Sequence, residues 1–398
     1  MRTTNNISIF PIMLAFLVMG FGDVVGPMVG LVKDSFQISN FSAQILSFSG
    51  FIMFGILSIP IGIIQSRIGK FKVLEFGLII AFLGLIIPIF GGLFGIEVIN
   101  IENKTYVLYI LYFSVLLLGA GATMLQVSGN PVMRDVSNDG NFSSNLSFAQ
   151  SVKAIGSSLG FWIAPLAILL GLNKIWGWTI QFPIYAVVVL ITFIFVATIK
   201  QKTKISISEK PASLKSCLKL LGKPYILLMV LAIFLYVGSE VSMSSQIPIL
   251  MKKQFGFEKF GLLISWSLFF LPILFGRFLG GMILRKLQAQ KFLILSGILS
   301  FIGIFLMFFN IQILVFIGII FVGLGFSNIF PLIFSITINK IPEKSNELSG
   351  LMVTAIVGGA FIPPLTGFVA DQIGIIWCFI VPLICVIYIL GIGLTIRN

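Results

Sequence analysis

Histidine is missing from all 398 residues, and cysteine occurs only three times, at Cys217, Cys378 and Cys385. Without imidazole there is no histidine metal ligand and no histidine proton relay. Cysteines at these separations match neither a zinc spacing nor a disulfide framework, so no metal site is expected. Charge is scarce as well: 10% of residues are Asp, Glu, Lys or Arg, and only 13 are acidic. A soluble chain of this length needs a far more polar exterior. No phosphate-binding loop occurs, which removes ATP-driven work. A membrane-embedded enzyme would need a nucleophile, a metal cluster or a paired acid and base on an interfacial loop. The loops hold few carboxylates beyond Asp135, Asp139, Glu343 and Glu347, and these form no such set. No catalytic residue is assigned, and the chain is not expected to be an enzyme. A sensor or scaffold would need a soluble signalling domain, which the sequence does not display.

What is abundant is apolar length, with 58% of residues hydrophobic. Runs of about 20 apolar residues can cross roughly 30 Å of hydrocarbon as a helix. Such runs lie near 8–31, 43–66, 73–95, 106–133, 146–171, 178–199, 224–250, 260–284, 291–308, 312–338, 348–372 and 375–396. Only helices or closed barrels satisfy the backbone in lipid, and a barrel would show shorter, alternating segments. The reading is an all-α membrane protein of twelve transmembrane helices. The first run is too long for a signal h-region and lacks a small-residue cleavage site.

The net charge of +13 has a topological explanation. With both termini on one side, eighteen of the 26 lysines and arginines fall on loops of that side. Arg2, Arg67, Lys70, Lys72, Arg134, Arg285, Lys340 and seven lysines between 200 and 223 are among them. The other side holds Lys33, Lys104, Lys174, Lys252, Lys253 and Lys259. Positive residues stay cytoplasmic, so both termini are expected in the cytoplasm and the protein in the cytoplasmic (inner) membrane. The basic residues are topogenic, and nucleic acid is not an expected partner.

The basic stretch "KQKTKISISEKPASLKSCLKLLGK" (200–223) divides the chain into 1–199 and 224–398, each with six spans. The halves echo one another. "GFGDVVGPMVGLVKDSF" aligns with "VGSEVSMSSQIPILMKKQF", which superimposes Asp23 on Glu240. "GIIQSRIGKFK" aligns with "GMILRKLQAQK", so Arg67 and Arg285 each follow Gly62 and Gly280 by five residues. "GAGATMLQVSGNP" aligns with "GLGFSNIFP", each ending in proline. Repeats of this kind build many secondary transporters, with substrate held near midplane.

Several stretches resemble the fucose:proton symporter branch of the major facilitator superfamily. They are "LQVSGNP" (125–131), "NLSFAQ" (145–150), "FLYVGSEVSMSS" (234–245), "GRFLGG" (276–281), "GLGFSNIFPLIFS" (323–335) and "SGLMVTAIVGGAFIPPLTGFVAD" (349–371). The resemblance covers nearly the whole chain. It implies the major facilitator fold, two pseudo-symmetric six-helix bundles, with alternating access and proton-driven sugar uptake. "SRIGKFK" resembles the superfamily's loop signature through Gly62, Arg67, Gly69 and Lys70, with Arg285 as the second-half counterpart. Ser66 stands where an aspartate is usual, which weakens one gating contact.

Charges within spans mark a working surface, because an unpaired one costs several kcal/mol at midplane. Asp23, Lys153, Glu240 and Arg277 qualify. Asp23 has Gly20, Gly22, Gly26 and Pro27 around it, small neighbours that let another backbone approach. By resemblance it matches the family's proton-linked aspartate; a structural acid paired with a cation is the alternative. Gln126 replaces the family's glutamate and cannot titrate, yet it can hydrogen-bond sugar hydroxyls. Thr123, Gln126 and Asn130 share one helical face, for substrate or for helix–helix contact. Gln150, Lys153 and Ser157 share another. Lys153 stands where the family has a sugar-contacting asparagine. It could pair with Asp23, meet an anionic substrate, or snorkel to the headgroups.

Glu240 lies in a stripe with Tyr236 and Ser244, to contact substrate, serve as a second acid, or pair permanently with a cation. Arg277, near the inner end of its span, reads as a structural pair or a snorkelling cation. Asn328 and Gln246 could supply hydrogen bonds from the second half. Trp176 and Trp178 read as interface anchors; Phe21, Trp162 or Trp266 could stack on a sugar ring. Gly156/Gly160 and Gly358/Gly359 permit either helix sliding or static close packing.

The expected protein is a secondary transporter. Asp23, Lys153 and Glu240 couple the proton, and Gln126, Asn130, Gln150, Lys153, Glu240 and Asn328 bind a monosaccharide, fucose-like or another hexose. The alternatives are an acidic sugar such as a uronate or sialic acid, and efflux of a hydrophobic solute. No cofactor is expected, since an ion gradient drives transport; the ion is a proton, with sodium left open. The partners are the sugar and the bilayer, and the protein is expected to be a monomer.

Overall fold

The computed structural model of the chain describes residues 9–25, 28, 32, 35–38, 40–91, 104–137, 140–170, 177–199, 213–257 and 261–395. All regular structure among them is helical. Lys33, Lys174, Trp176, Gly26, Pro27 and linker residues 200–212 lie outside the described residues.

Helix α1 (Ile9–Met19) tightens into a 3-10 segment, Gly20–Val24, that carries Asp23. There follow α2 (Asn40–Ile68), α3 (Lys70–Phe90), α4 (Lys104–Val136), α5 (Phe142–Leu169) and α6 (Gln181–Ala197). A short α7 (Leu214–Leu221) precedes α8 (Pro224–Phe255). The next span opens with α9 (Gly261–Ser265), passes a π-helical turn at Trp266–Phe270 and continues as α10 (Leu271–Ile283). Then come α11 (Ala289–Met307), α12 (Gln312–Phe326), α13 (Ile329–Lys340), α14 (Ser345–Thr354), α15 (Gly358–Ile373) and α16 (Ile380–Thr395). Ten stretches among the described residues are long and apolar enough to cross a membrane, and Ile9–Val24 is a shorter apolar one. A further long helix, the 28-residue α5, carries Lys153. The protein is a multi-pass integral membrane protein.

The chain forms two compact units, Met1–Val136 with Val152–Leu214, and Ser137–Ser151 with Lys215–Asn398. The helix α5 begins in the second and ends in the first. Lipid tails give helices no hydrophobic reason to associate, so close backbone approach and hydrogen bonds must do it. In the first unit a Cβ on Gly121 would lie 2.6 Å from the Ala81 nitrogen, which brings α4 onto α3. The Ser114 hydroxyl donates to the Gly84 carbonyl between the same helices. In the second unit Gly303 and Gly318 let α11 and α12 meet backbone to backbone, 2.5–2.6 Å from a built Cβ to the opposing oxygen.

The linker's C-terminal part is helical. In α7 Cys217 and Leu220 are buried, and the Ser216 hydroxyl donates to Glu347 Oε1 at 3.3 Å. Lys344 Nζ donates to the same oxygen at 2.9 Å. Burial, and next the Glu347 carboxylate, push the Cys217 thiol up to about 11.

Candidate functional site

The first-unit site exists because two glycines let α5 lie directly on α1. A Cβ on Gly20 would sit 2.3 Å from the Lys153 carbonyl oxygen, and one on Gly156 would sit 2.1 Å from the Leu17 oxygen. Neither contact tolerates a side chain. This approach sets Lys153 and Ser157, one turn apart on α5, beside Asp23. Lys153 Nζ lies 3.2 Å from Asp23 Oδ2. The Ser157 hydroxyl donates to the same oxygen at 2.8 Å, and also to the Lys153 carbonyl at 3.2 Å. The ammonium makes its second contact, 3.5 Å, with Gln126 Oε1 on α4. The Lys153 side chain is 13% exposed and that of Asp23 33%, so the carboxylate stays accessible while the cation is enclosed. Snorkelling is excluded as the state of Lys153 here, since its charge is held by Asp23 and Gln126.

The second unit has its own pair. Arg277 Nη2 donates to Glu240 Oε1 at 3.2 Å, Nε to the Ser327 carbonyl at 3.0 Å, and Nη1 reaches the Gln150 carbonyl at 3.5 Å. The Tyr236 hydroxyl donates to the Phe326 carbonyl at 2.9 Å and interacts with both Glu240 and Arg277. Arg277 is buried, so it is a paired cation and does not snorkel. The two halves therefore place an acid at equivalent points but answer it differently: the cation comes from the fifth span in one and the eighth in the other. Sequence periodicity grouped Tyr236 with Glu240; only the folded chain supplies Arg277.

A sequence model described as Major Facilitator Superfamily matches residues 12–356. The chain belongs to the major facilitator superfamily. Among curated relatives, a glucose/galactose transporter of Brucella abortus biovar 1 (strain 9-941) is 26% identical over 393 residues, covering 96% of this chain and 92% of its own. An L-fucose-proton symporter of Haemophilus influenzae (strain ATCC 51907 / DSM 11121 / KW20 / Rd) is also 26% identical, with coverage of 94% and 92%. Among solved structures, the superfamily transporter FucP in its outward conformation is similar over 100% of both chains, with TM-score 0.83 and 18% identity. The proton:xylose symporter XylE, bound to 6-bromo-6-deoxy-D-glucose, gives TM-score 0.76 at 14% identity, over 97% of this chain and 93% of that one. The likeness to these structures shows the twelve-helix, two-bundle fold of the superfamily.

Several further candidates are buried or turned back onto the protein. Asn130 is fully buried, and neither amide atom finds a partner among the described residues. Gln150 is buried with Nε2 likewise unpartnered. Asn328 serves the fold: its Nδ2 donates to the Gly276 carbonyl at 2.6 Å and to Ser327 Oγ at 2.8 Å, leaving Oδ1 unpartnered. Thr123 turns to its own helix, donating to the Gly119 carbonyl, and Ser244 does the same to Val241. Phe21 is not free to stack on a sugar, because it is buried against Tyr185 with ring centroids 4.2 Å apart. Trp178 is no interface anchor: it is buried, and its indole donates to Ser35 Oγ at 2.9 Å.

In the superfamily loop motif, Gly69 adopts φ +94°, a conformation that favours glycine, where it begins α3. Arg67 is exposed. Lys70 Nζ pairs with Asp135 Oδ2 at 2.7 Å, a contact between motif and α4 that the sequence did not indicate. Ser66 turns back to the Ile63 carbonyl. Arg285 lies over the Phe148 ring, 5.5 Å from its centroid.

Proposed function

We propose that the protein is a secondary active transporter that moves a neutral monosaccharide together with a proton by alternating access. The observation that carries the proton step is the Lys153–Asp23–Ser157 cluster inside the spans, with a partly exposed carboxylate. Ionised Asp23 holds the ammonium; a proton on Asp23 removes that charge and releases Lys153 toward Gln126, already within 3.5 Å. Making and breaking one ion pair thus changes how α1, α4 and α5 are tied. Gln126, beside the released ammonium, then offers an amide donor and acceptor to sugar hydroxyls. Relatives bearing the names of glucose/galactose and fucose–proton transporters support a hexose or deoxyhexose as cargo. The pair balances its own charge, which favours a neutral sugar over a uronate. Protons supply the driving force, with no bound cofactor. The lysine and arginine distribution supports the cytoplasmic membrane, both termini inside, and the protein acts as a monomer.

The test is transport in proteoliposomes. Sugar counterflow, scanned over glucose, galactose, fucose and a uronate, identifies the cargo; uptake under an imposed pH gradient reports coupling. Asp23→Asn should retain counterflow and lose gradient-driven accumulation at least tenfold, and Lys153→Ala should do the same. Full accumulation in both variants would sink the coupling role of the pair. Exchange of the uronate alone would reverse the assignment of cargo charge.

A further inference from the structure

Glu240 is linked through Arg277 to a discontinuity in another helix. The span from Gln312 to Lys340 is not one helix but two, α12 and α13, separated at Ser327–Asn328. The cause is chemical. In a continuous helix the Ser327 carbonyl would accept from the N–H of residue 331. Residue 331 is proline and has no N–H, so the carbonyl is orphaned within the membrane. Arg277 Nε fills the gap at 3.0 Å, while Nη2 of the same guanidinium holds Glu240 at 3.2 Å. The adjoining Phe326 carbonyl is taken by Tyr236, whose hydroxyl also lies in the electrostatic field of Glu240 and Arg277. The break itself is seated on α10. A Cβ on Gly276 would lie 2.5 Å from Ser327 Oγ, and one on Gly280 would lie 2.3 Å from the Asn328 amide. Asn328 in turn donates to the Gly276 carbonyl at 2.6 Å.

We propose that Arg277 is a positioning residue that couples the Glu240 carboxylate to the proline break between α12 and α13. A planar guanidinium presents donors in a fixed fork, so one cation can serve a carboxylate and a carbonyl in a set geometry. When sugar hydroxyls or a proton engage Glu240, the pull on Nη2 weakens and the fork turns. The Ser327 carbonyl loses its donor, and α13 is freed to change its angle to α12. The pair thus converts an event at one side chain into motion of a half-helix. The inference rests on Glu240 taking part in the transport cycle, and it gives Arg277 a role beyond neutralising a buried acid.

A double-mutant design tests this in the full-length protein, read by hexose counterflow in proteoliposomes and by melting temperature in detergent. Glu240→Gln and Arg277→Gln should each slow counterflow about tenfold or more. Residues acting as one unit are non-additive, so the double variant should stay within about twofold of the slower single. Independent roles would multiply to about a hundredfold, which overturns the coupling. Pro331→Ala supplies the decisive split, because it restores an N–H for the Ser327 carbonyl. Placed on Arg277→Gln it should recover melting temperature and leave counterflow slow. Joint recovery of both would mean that Arg277 only plugs a backbone gap, and the proposal fails. Should Arg277→Gln not fold, Arg277→Lys serves: a point-charge ammonium can neutralise Glu240 without the fork. It should melt near wild type yet transport slowly, and wild-type transport by Arg277→Lys refutes the idea. Absence of counterflow in the wild type with every sugar would instead reject the transport reading, while the melting-temperature cycle still reports on the Arg277–Pro331 link.

Discussion

Asp23 and Lys153 show how a single atom can decide whether a charge belongs in a membrane. The pair stands 3.2 Å apart because Gly20 and Gly156 carry hydrogen where any other residue carries carbon. Gly156→Val would drive a side chain into the Leu17 carbonyl, whose backbone has nowhere to retreat. Over-packing of this kind costs about 1–3 kcal/mol, and here it also parts the ion pair. We expect Gly156→Val to melt several degrees lower in detergent and to lose transport. Gly391→Ala in α16 is the control, since no atom lies within 4 Å of its built Cβ. It should melt at or slightly above wild type, because alanine favours helix over glycine. Equal behaviour of the two variants would remove close packing as the basis of the site.

At the scale of elements, the helix α7 shows how an amphipathic segment outside the spans is held. Its Ser216 meets Glu347 at the start of α14, and Cys217 is buried beside that carboxylate. A thiol pushed up to about 11 is almost wholly protonated at pH 7.5 and reacts slowly. Labelling of Cys217 by a soluble maleimide, in a Cys378→Ser/Cys385→Ser background, should therefore be slow and rise with pH toward 11. The sign of the charge effect is definite: Glu347→Gln removes a neighbouring negative charge, lowers the thiol, and should speed labelling at fixed pH. Slower labelling in Glu347→Gln would contradict this account of α7.

For the whole molecule, coupling sets a thermodynamic ceiling that no contact can exceed. One pH unit is worth about 1.4 kcal/mol, or tenfold in concentration. Symport of one proton per sugar should accumulate sugar about tenfold per unit of imposed gradient, with membrane potential clamped. Measurement of steady-state accumulation at two gradients checks the ratio. A slope near a hundredfold per unit would require a second proton, with Glu240 as the natural second carrier.

Length, hydropathy and the lysine–arginine pattern were enough to read twelve spans and two related halves, because lipid permits few backbone solutions and each leaves a periodic trace. Asp23, Lys153 and Glu240 also stood out, since an ionised group in an apolar run is conspicuous in one dimension. Their partners were not legible in the same way. Arg277 lies 37 positions from Glu240, and Lys153 lies 130 from Asp23, so only the packing of whole helices selects each pair. The sealing of Phe21, the loss of Trp178 to Ser35 and the pinning of Asn328 on α10 are likewise outcomes of close approach. Composition determined which groups had to find partners in the membrane; tertiary structure alone decided which partners they found, because that depends on which backbones can come within contact distance.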